Sequence, residues 1–388
     1  NIMNAYVKRD LYLNRLIVRR DNGQIKAVTG PRRSGKSFLL DPIYKNYLLS
    51  KGVPEDNIII ISFDIEDEDT PQELLDREKL KEYLYSRIAS QTENYYVFLD
   101  EIQEVDGFER IVNGLNKRQN VDVYVTGSNS KFLSSEINTI FRGRSDEVSV
   151  LPFTFREFCQ DRQESVNDLW KEYYTYGGLP ALRKMPTAEQ KTTYLQKLWK
   201  KTYLDDVVER HNVENREALE AIADALCSSI GSLTNTTRIT NTLGSVRKIK
   251  ITDDTVAKYI GYLEEAFLFN ESRRYNIKGN KYYENIKKYY SIDVGLRNAR
   301  LNYRQLEQTH LMENIIFNEL LYRGYVVDVG VVEHRKMVDG KSEYKQYEVD
   351  FIATDGNEKY YIQSAYEIET EEKREQELNS LKRIDDSF

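Results

Sequence analysis

Up to about residue 160, short apolar runs alternate with longer amphipathic stretches, the order that builds a parallel α/β sheet. Gln24-Ile25-Lys26-Ala27-Val28-Thr29 reads as a short strand. Asn57-Ile58-Ile59-Ile60-Ile61-Ser62-Phe63 is a β-branched run of the kind buried on both faces. Tyr95-Tyr96-Val97-Phe98-Leu99 and Val121-Asp122-Val123-Tyr124-Val125-Thr126-Gly127 are further strands, and Val148 to Pro152 is a short one. Helical stretches fall at Ser37 to Ser50, Leu75 to Gln91, Gly107 to Gln119 and Thr154 to Gln160. Pro42 lacks an N–H and crowds the preceding turn, so a kink is expected in the first of these.

Leu169 to Arg210 is mostly helical, broken at Tyr176-Gly177-Gly178-Leu179-Pro180, as a helical lid would be. Glu214 to Leu233 makes another helix. Thr252 fits an N-cap for a helix that turns Val256, Ile260 and Leu263 inward, and a strand begins at Ala266-Phe267-Leu268-Phe269. Helix, turn, helix and strand over this span predict a winged helix-turn-helix. Glu313 to Arg323 is a helix; Tyr325 to Val332, Gln346 to Ile352 and Glu358 to Tyr366 are strands; a charged helix starts at Glu369.

The most specific chemistry lies where the first strand meets its helix. Gly30-Pro31-Arg32-Arg33-Ser34-Gly35-Lys36-Ser37 fits G-x-x-x-x-G-K-[ST], a phosphate-binding loop. Gly30 and Gly35 have no Cβ, so the backbone can fold around a phosphate with its N–H groups inward. Lys36 brings charge to the β- and γ-phosphates, the Ser37 hydroxyl can ligate Mg²⁺, and the helix N-terminus adds its partial charge. With Phe38 behind them, these eight residues are the expected nucleotide contacts.

Asp100-Glu101, at the tip of the Tyr95 run, forms a Walker B pattern: Asp100 holds Mg²⁺ and Glu101 polarises the attacking water. Gly127-Ser128-Asn129-Ser130 follows the neighbouring strand, making Ser128 and Asn129 candidates to sense the γ-phosphate, though the same residues equally spell a turn. Phe141-Arg142-Gly143-Arg144 offers Arg144 as an arginine finger for its own or a neighbouring subunit, with a surface arginine pair as the alternative.

Composition narrows the classes further. The 388 residues suffice for two or three domains, and 40% hydrophobic with 31% charged residues is ordinary globular material. No run approaches a membrane span and no signal peptide opens the chain. Cys159 and Cys227 lack metal-ligand spacing, and His211, His310 and His334 are widely scattered, so a zinc site is not expected and a reducing, cytoplasmic setting is. Net charge −7 gives no general pull toward nucleic acid. The local exception is 271–300, where Arg273, Arg274, Lys278, Lys281, Lys287, Lys288, Arg297 and Arg300 outweigh Glu271, Glu284 and Asp293 among five tyrosines. That stretch is a candidate wing for duplex DNA, or else a solvated hairpin.

Together these motifs resemble AAA-type ATPases of bacteria and archaea that carry a winged helix and a C-terminal restriction-endonuclease-like domain of unknown function. The matching stretches include the loop at 30–37, Phe98-Leu99-Asp100-Glu101-Ile102-Gln103, Gly143-Arg144, Leu151-Pro152-Phe153-Thr154-Phe155-Arg156-Glu157-Phe158, Tyr176-Gly177-Gly178-Leu179-Pro180, Asp293-Val294-Gly295-Leu296-Arg297 and Glu348-Val349-Asp350-Phe351. The resemblance implies an α/β P-loop NTPase core (1–165), a helical lid (166–212), a winged-helix domain (213–300) and a PD-(D/E)xK nuclease-like domain (301–388) cut short at Phe388. It also implies ATP and Mg²⁺ as ligands. In the nuclease-like part Glu313 and Asp350 fill two acidic places, but Gln363-Ser364-Ala365 stands where E-x-K belongs. Gln363 is at best a weak neutral ligand and Ala365 removes the lysine, so a non-cleaving domain is expected. The leading expectation is an ATPase that switches this C-terminal part on a partner such as duplex DNA. The alternatives are an ATP-dependent nuclease and a non-hydrolysing signalling switch acting through protein contacts.

Overall fold

The computed structural model describes residues 6–64, 68–128, 132 and 134–384. The chain forms two compact units, Asn1–Phe153 with Glu265–Phe267, and Thr154–Glu264 with Leu268–Phe388.

The first unit is built on five parallel strands, β1 (Ile25–Thr29), β2 (Ile58–Ser62), β3 (Tyr95–Asp100), β4 (Val121–Thr126) and β5 (Ser145–Ser149), in the order β2-β3-β4-β1-β5. β1, β3 and β4 are buried along their whole length, as near-continuous apolar runs demand in a sheet covered on both faces. Alternation sorts the side chains: Val97 and Leu99 join Val123, Val125, Leu80, Phe108 and Leu115 in one core, while Phe98 and Tyr124 meet Tyr44 on the other face. The expected kink is present, with Asp41 at φ −133°, ψ 110° just before Pro42. Helix Asp10–Arg19, which buries Tyr12 and Leu16, adds an element the pattern reading passed over.

The fifth strand is displaced from its expected place. It is the polar Ser145–Ser149 and not Val148–Pro152. As an edge strand paired only with β1 it needs no apolar run, and Asp146 and Glu147 find partners in Arg19 and Thr29.

The second unit begins with helices, including Val166–Tyr176, Ala188–Lys197, Arg216–Ser228, Thr236–Thr242 and Asp253–Glu265. A mixed sheet follows, of β6 (Phe269–Asn276), β7 (Lys281–Ser291), β8 (Val326–Val338), β9 (Lys341–Asp355) and β10 (Glu358–Ile362), ordered β10-β9-β8-β6-β7. β6 runs parallel to β8 and the other pairs are antiparallel. The boundary drawn at 300/301 therefore passes between strands of one sheet. Phe317 and Leu320 of helix Gln308–Tyr322 pack with Tyr290, Val327 and Phe351, and Leu381 of helix Glu371–Leu381 packs against the cluster of Ile277, Val332, Val349 and Ile352.

Two motifs far apart in sequence make one joint in this unit. Asp293 caps helix Val294–Arg300 through the Leu296 N–H and also accepts the Gly178 N–H at 2.8 Å. A Cβ at Gly295 would lie 1.9 Å from the Tyr176 carbonyl oxygen, so this close approach admits only glycine. Asn298 donates to the Tyr174 and Thr175 carbonyls, and Arg297, buried, to that of Cys227. The Tyr176–Pro180 and Asp293–Arg297 stretches thus hold the fold together.

Candidate functional site

Strand β1 delivers the chain into the phosphate loop. Gly30 has φ 133°, and a Cβ there would stand 2.2 Å from the Val150 carbonyl oxygen. Gly35 has φ 95° and leads into the helical turn of Lys36, Ser37 and Phe38. The Lys36 ammonium lies inside the loop, donating to the carbonyls of Gly30 (3.1 Å) and Pro31 (2.8 Å), with a Glu101 oxygen 3.9 Å away. Burial pushes its pKa down, against the pull of Glu101 and Asp100.

β3 and β4 place the acids beside it. The Ser37 hydroxyl donates to Asp100 Oδ1 at 2.9 Å, so the two expected Mg²⁺ ligands already meet. Thr126 at the end of β4 donates to the same Asp100 oxygen at 2.6 Å and accepts the Glu101 N–H at 2.9 Å. One threonine thereby fixes both acids. Burial raises the Asp100 pKa, with the Thr126 bond opposing it. Glu101 adopts φ 51°, in the left-handed region that non-glycine residues occupy sparingly. Its Oε2 accepts Ser128 Oγ at 3.0 Å and the Gln103 amide.

Arg9 reaches the loop from the N-terminal side. Its guanidinium donates to the Ser34 carbonyl (2.9 Å) and to that of Leu151 (2.7 Å), and lies over the rings of Tyr12 and Phe153. Sequence reasoning missed Arg9, Thr126 and Gln103. Gln103 stood two places beyond Glu101 in the quoted motif and could have been found; a lone arginine before the first strand gives no signal.

Other expected residues divide. Pro31 and Ser34 are buried in the loop, Arg32 is half-buried, and Arg33, Ser37 and Phe38 face outward, Phe38 with the Tyr6 ring edge-on at 5.6 Å. Asn129 lies outside the described residues. Arg144 lies at the opposite end of the sheet, where its carbonyl accepts the Ile25 N–H at the start of β1. It does not share the pocket of its own chain. The residues present fit a nucleoside triphosphate with Mg²⁺: a cation in Lys36, a hydroxyl–carboxylate pair in Ser37 and Asp100, and a buried Ser34 hydroxyl and Gln103 amide oxygen without hydrogen-bond partners. The Ser34 hydroxyl could donate to an oxyanion, and the Gln103 amide oxygen could accept from a water of its shell.

The stretch 271–300 presents only part of its basic residues as surface: Arg273, Lys278 and Lys281 are exposed, and the others are half-buried or buried. Lys287 pairs with Glu271, Lys288 is buried among acids, Arg297 is buried, and Arg300 pairs with Asp224 and Glu220. Arg273 and Arg274 lie over Tyr282 and Tyr283. Strand β7 gives Lys287 and Lys288 partners within the fold, and helix Val294–Arg300 does the same for Arg297 and Arg300, which a charge count cannot register.

The nuclease-like residues do converge. Glu313 and Asp350 face one point, and Lys288 of β7 arrives there with its ammonium 2.9 Å from Glu313, 2.7 Å from Glu348 and 3.7 Å from Asp350. Burial, then Glu313, pushes the Asp350 pKa up to about 7. Gln363 is otherwise engaged: its side-chain Oε1 accepts the Asp350 N–H.

The AAA domain family matches residues 22–159, and a domain of unknown function (DUF8612) matches residues 167–307. An uncharacterized protein of Haemophilus influenzae is 34% identical over 99% of this chain and 92% of its own length. One from Methanocaldococcus jannaschii is 29% identical over 91% of this chain and 77% of its own. Among solved structures, a Walker-type ATPase of Pyrococcus abyssi shares the fold with a TM-score of 0.53 at 16% identity, over 76% of this chain and 96% of that one. The AAA match spans the phosphate loop and both acids, and the similarity to the Haemophilus protein runs nearly end to end, so the chain belongs to the AAA-type P-loop ATPase family, with a domain of unknown function behind the AAA domain.

Proposed function

We propose that this chain binds ATP–Mg²⁺ at residues 30–37, hydrolyses it, and uses the cycle to switch its C-terminal part on a macromolecular partner. The observation that carries the reading is the Glu101 carboxylate, held by Ser128 and Gln103 at the strand tip, 3.9 Å from the Lys36 ammonium. A carboxylate so oriented can take a proton from water as that water attacks the γ-phosphorus and the bond to the β-phosphate oxygen breaks. Lys36 leaves its loop carbonyls to neutralise the phosphates, and the loop N–H groups orient them. Ser37 and Asp100 would hold Mg²⁺, which supplies charge neutralisation across the β- and γ-phosphates when bound. ATP over GTP is supported by the family.

Steady-state phosphate release with and without duplex DNA at low salt tests the coupling. Stimulation assigns DNA as the partner. Turnover indifferent to DNA favours a protein-directed switch, the reading that the internal engagement of Lys287, Lys288, Arg297 and Arg300 supports. Tight nucleotide binding with no turnover would overturn hydrolysis and leave the non-hydrolysing switch.

A further inference from the structure

The resemblance to PD-(D/E)xK nucleases implies a divalent cation between Glu313 and Asp350, but the residues present do not fit one. The centre of the cluster is filled by an ammonium. Lys288 is 2% exposed and points two donors at Glu313 and Glu348, while Asp350 lies within ion-pair distance. The carboxylates have other obligations as well. Glu313 Oε1 also accepts Tyr290 OH at 2.7 Å, and Asp350 Oδ2 accepts the Ser364 N–H at 2.8 Å. Among the described residues, no group of three or more His, Cys, Asp or Glu is arranged to hold a metal.

The cluster is also covered. Thr234 and Lys287 exchange backbone hydrogen bonds, the Gly231 N–H donates to the Tyr289 carbonyl, and a Cβ at Gly231 would lie 3.1 Å from Glu313 Oε1. Glu348 is the most exposed member, at 33% of its side chain. Magnesium needs oxygen ligands at about 2.1 Å and near-octahedral space. A cation that close to these oxygens would crowd and repel the ammonium they share.

We propose that Lys288 is a built-in cation, seated in the metal position of a nuclease-type cluster, so that this part of the chain holds its carboxylates together without a divalent ion. The ammonium neutralises one carboxylate and hydrogen-bonds two, which lets Glu313 of the helix and Asp350 of β9 remain buried together without a divalent ion. The cluster then joins β7, β9 and helix Gln308–Tyr322 as a structural element, independently of nucleotide at the first unit.

The test uses the full chain, nucleotide-free, titrated with Mn²⁺ alone while free Mn²⁺ is read by electron paramagnetic resonance. Wild type is expected to bind no more Mn²⁺ than Asp350→Asn or the milder Glu348→Gln. Lys288→Met, which keeps the length of the stem without its charge, is expected to gain one Mn²⁺ per chain, lost again in Lys288→Met with Asp350→Asn. Wild type binding one Mn²⁺ more than both acid variants would overturn the proposal, and so would a folded Lys288→Met that gains none. Where Lys288→Met does not fold, the comparison of wild type with Glu348→Gln decides.

Discussion

Single side chains in the first unit carry more than one task. Thr126 bonds both Asp100 and the Glu101 backbone, so losing its hydroxyl should misplace the proposed metal ligand and the proposed base together. Arg9 ties the Ser34 carbonyl of the phosphate loop to the Leu151 carbonyl beyond β5. Hydrogen bonds from a charged donor contribute about 1.5–3 kcal/mol each. Arg9→Ala should therefore lower the unfolding free energy by about 2 kcal/mol or more and weaken nucleotide binding, whereas Arg9→Lys restores part of the first effect only. Urea unfolding beside nucleotide titration checks this; an Arg9→Ala protein with unchanged affinity would make the contact merely structural. The loop and the two acids were legible because their spacing is local. Arg9, Thr126 and Lys288 were not, since each acts on residues far away in sequence.

At the level of elements, the buried strands were legible from their continuous apolar runs, and the polar edge strand Ser145–Ser149 and the weak helices were not. Thr236–Thr242 is rich in threonine, a poor helix former, and stands on the Asn235 cap and buried Ile239. β8 and β9 outran their expected ends because Asp339-Gly340, both at positive φ, makes a tight hairpin turn whose strands extend into solvent. Asp-Gly between alternating residues was the missed signal. Inside the first sheet, Lys26 of β1 pairs with Asp122 of β4, both buried, and Asp122 also accepts the Tyr124 hydroxyl. Removing one member strands a buried charge, at about 3–5 kcal/mol. Asp122→Ala should cost that much, and Lys26→Met with Asp122→Leu far less, by chemical denaturation; equal losses would contradict the pairing argument. The Asp293 joint predicts a pH effect. Burial raises this carboxyl from its ordinary 3.8 to about 6, with backbone N–H groups opposing. Its contribution is fully present below the unfolded value. As pH rises through the folded value the unfolded chain has already released its proton, so stability falls. Asp293→Asn should flatten the decline in unfolding free energy between about pH 4 and 6, and an unaltered slope would exclude Asp293 as its source.

For the whole molecule, the family was readable from motifs spread along the chain, while the partner was not. Net charge −7 gives no general pull toward DNA, and the pairing of Lys287, Lys288 and Arg300 weakens the local basic signal of 271–300. Among the described residues, no helix is long and apolar enough to cross a membrane. Ligand linkage acts at this scale: ATP–Mg²⁺ at a hundredfold its dissociation constant should stabilise the folded chain by about 2.7 kcal/mol. A melting curve unmoved by saturating nucleotide would count against the loop as the binding site. The central claim, hydrolysis through Glu101, is tested most directly by measuring nucleotide affinity and phosphate release on the same preparations of wild type, Glu101→Gln and Lys36→Ala. The account predicts that Glu101→Gln binds ATP–Mg²⁺ as wild type does but releases phosphate about 10²–10⁴-fold more slowly, while Lys36→Ala loses both. Phosphate release by Glu101→Gln at the wild-type rate would contradict it.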